Sequence, residues 1–173
     1  MNELLKFYSR TRSNLQPYLS KRWGAHYILP NLILGNLASS CNEKALKEHG
    51  VTHVLCCVIN VKPYFPKSFQ YYNIALLDIK VKIFNFVFST KLNFIVSSKT
   101  QDIFSYFEQA IEWIDKALES PKSVVYVHCI EGRSRSATIV CAYLMHKFGL
   151  NTEEALKMVK EKRAVINPNA GFR

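Results

Sequence analysis

A cysteine and an arginine, Cys129 and Arg135, stand at the two ends of a seven-residue segment, and both side chains suit chemistry on a phosphate group. A cysteine thiolate is a nucleophile. An arginine guanidinium presents a planar set of donors that matches two oxygens of a phosphate. When such a segment curls into a loop, its backbone N–H groups can face an anion at the centre. The sequence therefore predicts a phosphate-binding loop with a nucleophile at its floor, made of Cys129, Ile130, Glu131, Gly132, Arg133, Ser134 and Arg135.

The segments on either side of this loop indicate how it is held. Residues 123–127 form an apolar, strand-like run, and residues 137–148 form an apolar, helix-like run. The partial positive charge at a helix N-terminus favours a bound anion and lowers the pKa of a nearby thiol. Gly132 can take a positive φ at no steric cost, and Ser136 can donate its hydroxyl to the Cys129 sulfur. The other four cysteines, Cys41, Cys56, Cys57 and Cys141, are interpreted as inert, small apolar side chains.

Strand-like and helix-like segments alternate along the chain, which predicts a single α/β domain with a central, mostly parallel sheet flanked by helices. A ligand loop in such a sheet lies at the carboxyl end of a strand. Ser40 with Glu43, and Asn151 with Glu154, predict capping boxes at two helix starts. Strands are predicted at residues 32–34, 51–59, 71–76 and 123–127. A helix over about residues 102–120 is predicted to bury Phe104, Phe107, Ile111, Ile114 and Leu118, which recur at helical spacing.

The loop and its surroundings resemble a known family. Residues 127–136, Val-His-Cys-Ile-Glu-Gly-Arg-Ser-Arg-Ser, resemble the His-Cys-five residues-Arg-Ser signature of the cysteine-based tyrosine phosphatases. The Ser-Arg-Ser ending and Ala-Tyr-Leu-Met at 142–145 resemble the small dual-specificity protein phosphatases. Weaker likenesses at 27–35, 50–55 and 167–172 extend the resemblance over about residues 26–80 and 100–172.

The resemblance implies a two-step reaction that needs no metal and no cofactor. Cys129 would attack phosphorus while the loop amides and Arg135 hold the phosphate oxygens. Asp78 matches the family's general acid, which protonates the leaving oxygen. Ser136 would assist breakdown of the cysteinyl-phosphate. His128 is expected to orient the Cys129 region through hydrogen bonds and not to donate the proton.

Three further charged residues have open interpretations. Asp102 is a rival acid, but its place before an amphipathic run favours a helix N-cap. Glu131 is expected to hydrogen-bond and brace the loop, because a carboxylate pointing inward would repel an anionic substrate. Arg163 is predicted to bind a second substrate phosphate or an acidic side chain. The alternative, that Arg163 is simply a solvated surface arginine, is equally compatible with the sequence.

Charge and composition limit the class of protein. Residues 1–24 carry a net charge of +4 and residues 81–99 carry +3, which leaves +3 of the total +10 for the rest. Most of the excess thus lies in a basic leader, 1–24, and in the insertion 81–99, and not on the family-like remainder of the expected catalytic domain, 25–173, so nucleic-acid binding is not expected. No stretch is long enough to span a bilayer. Five cysteines without disulfide or zinc spacing favour a reducing interior, and the cytoplasm and nucleus are the expected locations.

Residues 81–99 do not fit the family pattern. Joining residue 80 to residue 100 restores a family-like run from Asp78 into the next helix, so the segment interrupts the loop that must deliver the acid. It could form a hairpin flap over the site, an exposed aggregation-prone strand, or a translated intron, since valine codons begin with GT and one lysine codon ends in AG. A second departure is the C-terminus, which stops at Arg173 where the family continues into a final packing helix.

The expected function is hydrolysis of phosphotyrosine and phosphoserine or phosphothreonine in proteins, with signalling kinases among the expected partners. A phosphoinositide or RNA 5′-phosphatase is the alternative within enzymes, because Arg133 adds a basic residue to the loop. The alternative outside enzymes is a catalytically impaired phosphate-binding module, in which residues 81–99 disable Asp78. The sequence does not indicate an oligomeric state.

Overall fold

The computed structural model describes residues 23–76 and 103–169. Its strands are β1 (His26–Leu29), β2 (Leu32–Asn36), β3 (His53–Cys56), β4 (Gln70–Asn73) and β5 (Val125–Cys129). Its α-helices are α1 (Leu37–Ser40), α2 (Glu43–Glu48), α3 (Phe107–Leu118), α4 (Arg135–Phe148) and α5 (Thr152–Lys162). A 3₁₀ turn, Ile103–Tyr106, leads into α3.

The five strands form one sheet in the order β1-β2-β5-β3-β4. β1 pairs with β2 in antiparallel fashion, and every other pairing is parallel. The predicted α/β domain with a mostly parallel central sheet is therefore confirmed. β5 lies in the middle, and all five of its residues are buried. The loop that follows it thus opens at the carboxyl edge of the sheet, between β2 and β3.

The two faces of the sheet are covered by different layers. Helices α3, α4 and α5 pack in that order on one face, where Leu34, Leu55 and Val127 join the larger apolar cluster. The residues between them on the strands, including Ile33 and Tyr126, belong to a smaller cluster on the other face. Each of these fully buried side chains stabilises the fold by about 1.5–3 kcal/mol. This burial holds β5, and with it the start of the loop, in place.

Some local predictions are confirmed and others are wrong. Asn151 and Glu154 form the predicted capping box of α5. Ser40 does not cap a helix: its hydroxyl donates to the Leu37 carbonyl, while Asn36 and Asn42 cap α1 and α2. An asparagine oxygen at each N-cap satisfies the first free N–H groups, so the chain makes two short helices where one was predicted.

The predicted buried stripe of α3 is confirmed only in part. Ile114 is fully buried, Phe107, Ile111 and Leu118 are partly buried against the same apolar cluster, and Phe104 is 59% exposed. Phe104 lies in the 3₁₀ turn, where side chains repeat every 3.0 residues, so the 3.6-residue stripe does not continue through it. Strands β3 and β4 are also shorter than the predicted 51–59 and 71–76.

Several predictions lie outside the described residues. These are the roles of Asp78 and Asp102, nearly all of the basic leader, the segment 81–99 and the C-terminal end. Within residues 23–76 and 103–169, no helix is long and apolar enough to cross a membrane.

Candidate active site

The loop runs from the end of β5 to the start of α4 and places the cysteine sulfur at its floor. Cys129 is 2% exposed. Its Sγ accepts a hydrogen bond from the Gly132 N–H at 3.2 Å and another from Ser136 Oγ at 3.2 Å. Ser136 sits in the first turn of α4, so the sulfur also faces the positive end of that helix. The predicted contact between Ser136 and the sulfur is present.

The surroundings of Cys129 favour its charged form. Burial alone raises the pKa of this thiol, because it removes water from the thiolate. The hydrogen bonds from Ser136 and from the loop backbone, with the charge of Arg135, outweigh that effect and hold the pKa below its ordinary value. In contrast, burial raises the pKa of Cys56 and of Cys141 to about 12. Among these three thiols, only Cys129 is prepared as a nucleophile.

The outer side of the loop is fastened through its carbonyl groups. The Ile130 carbonyl accepts from the Leu37 N–H at 3.0 Å, and the Arg133 carbonyl accepts from the Asn167 N–H at 2.8 Å. In a trans peptide the N–H points opposite to the C=O. Carbonyl groups held outward therefore turn the following N–H groups toward the centre, where a phosphate oxygen would lie.

Arg163 supplies the largest share of this fastening, and the prediction for it is wrong. The side chain is buried, with 4% exposed. It donates to the Gly132 carbonyl at 2.8 Å, to the Glu131 carbonyl at 3.0 Å and to the Gly24 carbonyl at 2.9 Å. Arg163 Nη1 also lies 2.8 Å from His26 Nδ1. A buried guanidinium that serves three carbonyls is neither a solvated arginine nor a surface site for a second phosphate, since its charge is used inside the protein.

Close approach of two backbone segments also shapes the loop. Gly132 has a φ of 67°, and a Cβ there would clash with the Gly35 carbonyl and the Arg163 guanidinium. Gly35 in turn lies against the Tyr126 hydroxyl, which donates to the Asn36 carbonyl at 2.8 Å. The prediction that Gly132 can take a positive φ is thus confirmed. Gly35 was missed, although a glycine inside a strand signals such an approach.

Arg135 is buried at the start of α4 and reaches toward the acid's part of the chain. Its Nη1 donates to the Leu76 carbonyl at 2.9 Å. Leu76 is the last described residue before the gap and precedes Asp78 by two positions. The structure therefore brings together Cys129, Ser136 and Arg135, and Asp78 stays a prediction.

The remaining loop residues have supporting positions. His128 is fully buried, and its Nδ1 lies 3.3 Å from the Cys129 carbonyl. Burial lowers the pKa of His128 to about 4, so the imidazole is neutral at pH 7. A general acid works best when its pKa lies near the working pH, so His128 is not suited to that role. Glu131 and Arg133 point outward and form an exposed ion pair at 3.4 Å, while Arg133 Nε donates to the Val165 carbonyl. The Ser134 hydroxyl accepts from the Asn169 N–H at 3.1 Å.

Glu131 differs from its prediction in how it braces the loop. Its carboxylate is largely exposed, and bracing comes from its backbone carbonyl, which Arg163 holds. Metal binding has no obvious donor set here: the described parts of the chain contain no group of three or more His, Cys, Asp or Glu side chains placed to hold an ion.

The fold and the site together define a class. A thiol of lowered pKa lies at the floor of an anion-binding loop, an arginine ends the loop, and the whole stands at the carboxyl edge of a parallel sheet. This is the arrangement of a cysteine-based phosphatase fold.

Comparison with known proteins gives the family. A family model described as "Dual specificity phosphatase, catalytic domain" matches residues 32–173, and the chain belongs to this family. Dual specificity protein phosphatase 1 of Arabidopsis thaliana is 37% identical over 141 residues, which are 82% of this chain and 61% of that protein. The chain thus spans less than two thirds of that relative. Dual specificity protein phosphatase 1B of the same plant is 31% identical over 172 residues, 99% of this chain and 91% of that protein.

A solved structure of similar fold supports the same family. The human tyrosine phosphatase-like serine/threonine/tyrosine-interacting protein superposes with a TM-score of 0.72 at 34% identity, over 87% of this chain and 91% of that one.

Proposed function

We propose that this chain hydrolyses phosphotyrosine and phosphoserine or phosphothreonine in proteins through a cysteinyl-phosphate. The observation that carries the proposal is the sulfur of Cys129, buried at the loop floor with two donors at 3.2 Å and a lowered pKa. Family membership supports a phosphoric monoester hydrolase. Whether both phosphotyrosine and phosphoserine or phosphothreonine are substrates is tested by the experiments below.

In the first step, the Cys129 thiolate attacks phosphorus and the bond to the leaving oxygen breaks. The inward N–H groups and the Arg135 guanidinium hold the three remaining oxygens, whose charge they stabilise in the transition state. Asp78, in its acid form, gives its proton to the leaving oxygen. The products are a cysteinyl-phosphate, the free side-chain hydroxyl and an Asp78 carboxylate.

In the second step, water attacks the cysteinyl-phosphate. The Asp78 carboxylate takes the proton of that water, and the sulfur leaves as a thiolate. Ser136 Oγ, which already donates to Sγ, stabilises the departing charge. Inorganic phosphate leaves, and the site returns to its starting charge state.

The proposed partners are phosphorylated proteins, with signalling kinases among them. The proposed setting is the cytoplasm, with the nucleus as a second location, because a nucleophilic thiol keeps its activity in a reducing compartment. Both rest on the family and on the cysteine content.

The test uses the purified chain with phosphotyrosine and phosphothreonine peptides. The unaltered chain should release phosphate from both, and Cys129→Ser should release none while still binding inorganic phosphate. Asp78→Asn should slow the peptides by about 10²–10⁴-fold but slow p-nitrophenyl phosphate much less, because nitrophenolate leaves without a proton. Turnover retained by Cys129→Ser would overturn the mechanism. Release from phosphotyrosine alone would overturn dual specificity.

A second candidate is an impaired phosphate-binding module. Two observations support it: the human structural relative is described as "tyrosine phosphatase-like", and residues 81–99 interrupt the expected loop of the acid, Asp78. Against it stands the low pKa of Cys129, which mere binding does not require. Comparing the intact chain with one that lacks 81–99 separates them: an impaired module forms the cysteinyl-phosphate slowly when intact, and deletion restores turnover.

The lipid and RNA alternative is less favoured by the loop. Its basic residue, Arg133, forms an ion pair with Glu131 and donates to the Val165 carbonyl. These contacts within the protein reduce its attraction for a substrate phosphate. A panel of phosphoinositides and 5′-triphosphorylated RNA beside the peptides decides between these substrates.

A further inference from the structure

The buried arginine behind the phosphate loop is also tied to the first strand. Arg163, the C-cap of α5, donates from Nε to the Gly132 carbonyl and from Nη2 to the Glu131 carbonyl. Its third nitrogen, Nη1, lies 2.9 Å from the Gly24 carbonyl and 2.8 Å from His26 Nδ1. One planar group therefore joins the loop to the start of β1.

The contact between Arg163 and His26 determines the charge of the imidazole. An arginine guanidinium keeps all of its N–H donors in proteins and has no acceptor. His26 Nδ1 must therefore accept from Nη1, which places the ring proton on Nε2. A protonated imidazole carries a donor on each nitrogen, so it would offer Nη1 no acceptor and would add a second positive charge beside it. The contact exists only while His26 is neutral.

Solvent reaches the imidazole although the guanidinium is buried. His26 lies on the edge strand β1 and is exposed, whereas Arg163 is buried. A proton from water thus reaches His26 without opening the fold. Partial desolvation, and then the charge of Arg163, lower the pKa of His26 below its ordinary value of 6.5. The imidazole is therefore neutral at pH 7 and takes up a proton as the pH falls below 6.5.

The elements packed around His26 present Arg163 as its charged neighbour. The register partner of His26 on β2 is the apolar Leu34, and the charge that acts on His26 is that of Arg163. Tyr27, the next residue of β1, contacts His49 at 3.0 Å and lies on the opposite face, because neighbours in a strand alternate. Protonation of His26 therefore acts first on Arg163. The ionisable groups that act on Arg163 from within the protein are Tyr126 and Cys129.

We propose that His26 is a positioning residue of the phosphate loop: its neutral imidazole holds Arg163 behind the loop, and protonation of His26 loosens this contact and weakens phosphate binding. The phosphate part rests on the proposed function, and the contact itself does not. A guanidinium is planar and rigid, so a shift of Nη1 also moves Nε and Nη2 on their carbonyls. Because the Gly132 N–H donates to Cys129 Sγ, this movement extends to the floor of the loop.

Two substitutions separate the acceptor from the proton. In His26→Asn, the amide oxygen takes the place of Nδ1 and accepts without taking up a proton. In His26→Leu, the acceptor is gone. His49→Asn is the matched control, because His49 also lies beside β1 but contacts Tyr27.

The direct measurement follows the Arg163 Nε–H by NMR spectroscopy. This hydrogen, which the Gly132 carbonyl accepts at 2.8 Å, should exchange slowly with water at about pH 7 in the unaltered chain. Its protection, relative to that in His26→Asn at the same pH, should fall toward about pH 5 as His26 takes up a proton. Nitrogen-15 spectra at about pH 7 should show His26 with a bare Nδ1 and a protonated Nε2.

The functional measurement is the affinity for inorganic phosphate. At about pH 7, His26→Asn should bind as the unaltered chain does, and His26→Leu should bind roughly 3- to 10-fold more weakly, which is the effect of one hydrogen bond. At about pH 5, the unaltered chain should approach His26→Leu, while His26→Asn keeps its advantage. Phosphate and Cys129 titrate in every variant, so the ratio of affinities isolates His26. His49→Asn should follow the unaltered chain.

Two outcomes overturn the proposal. These are a ratio of the unaltered chain to His26→Asn that is the same at both pH values, and a neutral His26 ring that carries its proton on Nδ1. Should His26→Leu fail to fold, the comparison with His26→Asn still decides. If no variant binds phosphate while Arg163 protection follows the protonation of His26, only the proposed function is refuted. If phosphate binds and hydrolysis proceeds but the ratio stays constant, only this inference is refuted.

Discussion

Replacing Gly132 by alanine tests whether backbone contact at the loop is what holds the site together, and Gly149 offers a matched control. The two residues have nearly equal φ values, 67° and 66°. A Cβ at Gly149, the C-cap of α4, would meet nothing within 4 Å. A Cβ at Gly132 would meet the Gly35 carbonyl and the Arg163 guanidinium. The difference between the two variants therefore isolates the contact from the backbone conformation.

The magnitudes follow from these two contributions. A left-handed backbone costs a non-glycine residue roughly 1–2 kcal/mol, and this is the whole expected effect of Gly149→Ala. Gly132→Ala adds an overpacking cost of about 1–3 kcal/mol. Because Gly35 backbone and a buried guanidinium cannot swing away like an exposed side chain, we expect Gly132→Ala to be the more destabilising variant by at least the lower end of that range.

Urea unfolding gives the comparison directly, with a lower midpoint and an unchanged m value for both variants. Gly132→Ala should also lose affinity for inorganic phosphate, since its N–H donates into the site, whereas Gly149→Ala should keep it. Equal midpoints for the two variants, or unchanged phosphate affinity of Gly132→Ala, would refute the contact argument.

Three other perturbations have definite signs. Ser136→Ala removes a hydrogen bond to a charged sulfur, a loss of about 1.5–3 kcal/mol, so the pH profile of Cys129 alkylation by iodoacetamide should move to higher pH; Ser134→Ala is the control and should leave it in place. Arg163→Lys keeps the charge but cannot serve three carbonyls at once, so urea stability should fall by about 1–3 kcal/mol, and an unchanged midpoint would contradict the bracing role. His128 has a pKa lowered from 6.5 to about 4 in the folded state, so stability is full above pH 6.5 and falls by up to about 3 kcal/mol as the pH drops toward 4. His128→Gln should flatten that part of the pH–stability curve, and an unaltered slope would count against it.

Much of the fold and the centre of the site could be predicted from local patterns. The apolar run before Cys129 predicted a buried parallel strand, and the capping residues of α5 predicted its start, because both signals lie within a few residues of what they determine. The pairing of Cys129 with Ser136 is also local, since one turn of loop and the first turn of α4 separate them. Local signals failed at Ser40, where two asparagines compete for the same role within four residues.

The parts of the candidate site could be predicted from a short stretch of sequence, because a thiol, an arginine and a helix N-terminus fall within eight consecutive residues. How the loop is held in place depends on residues far away in the sequence. Arg163, 31 residues after Gly132, donates to the Gly132 carbonyl from the outer side of the loop, and Gly35 on a separate strand leaves room for the loop backbone. Such roles depend on which segments the packed sheet and helices bring together, and residue type alone cannot show whether a buried arginine meets a substrate or a carbonyl.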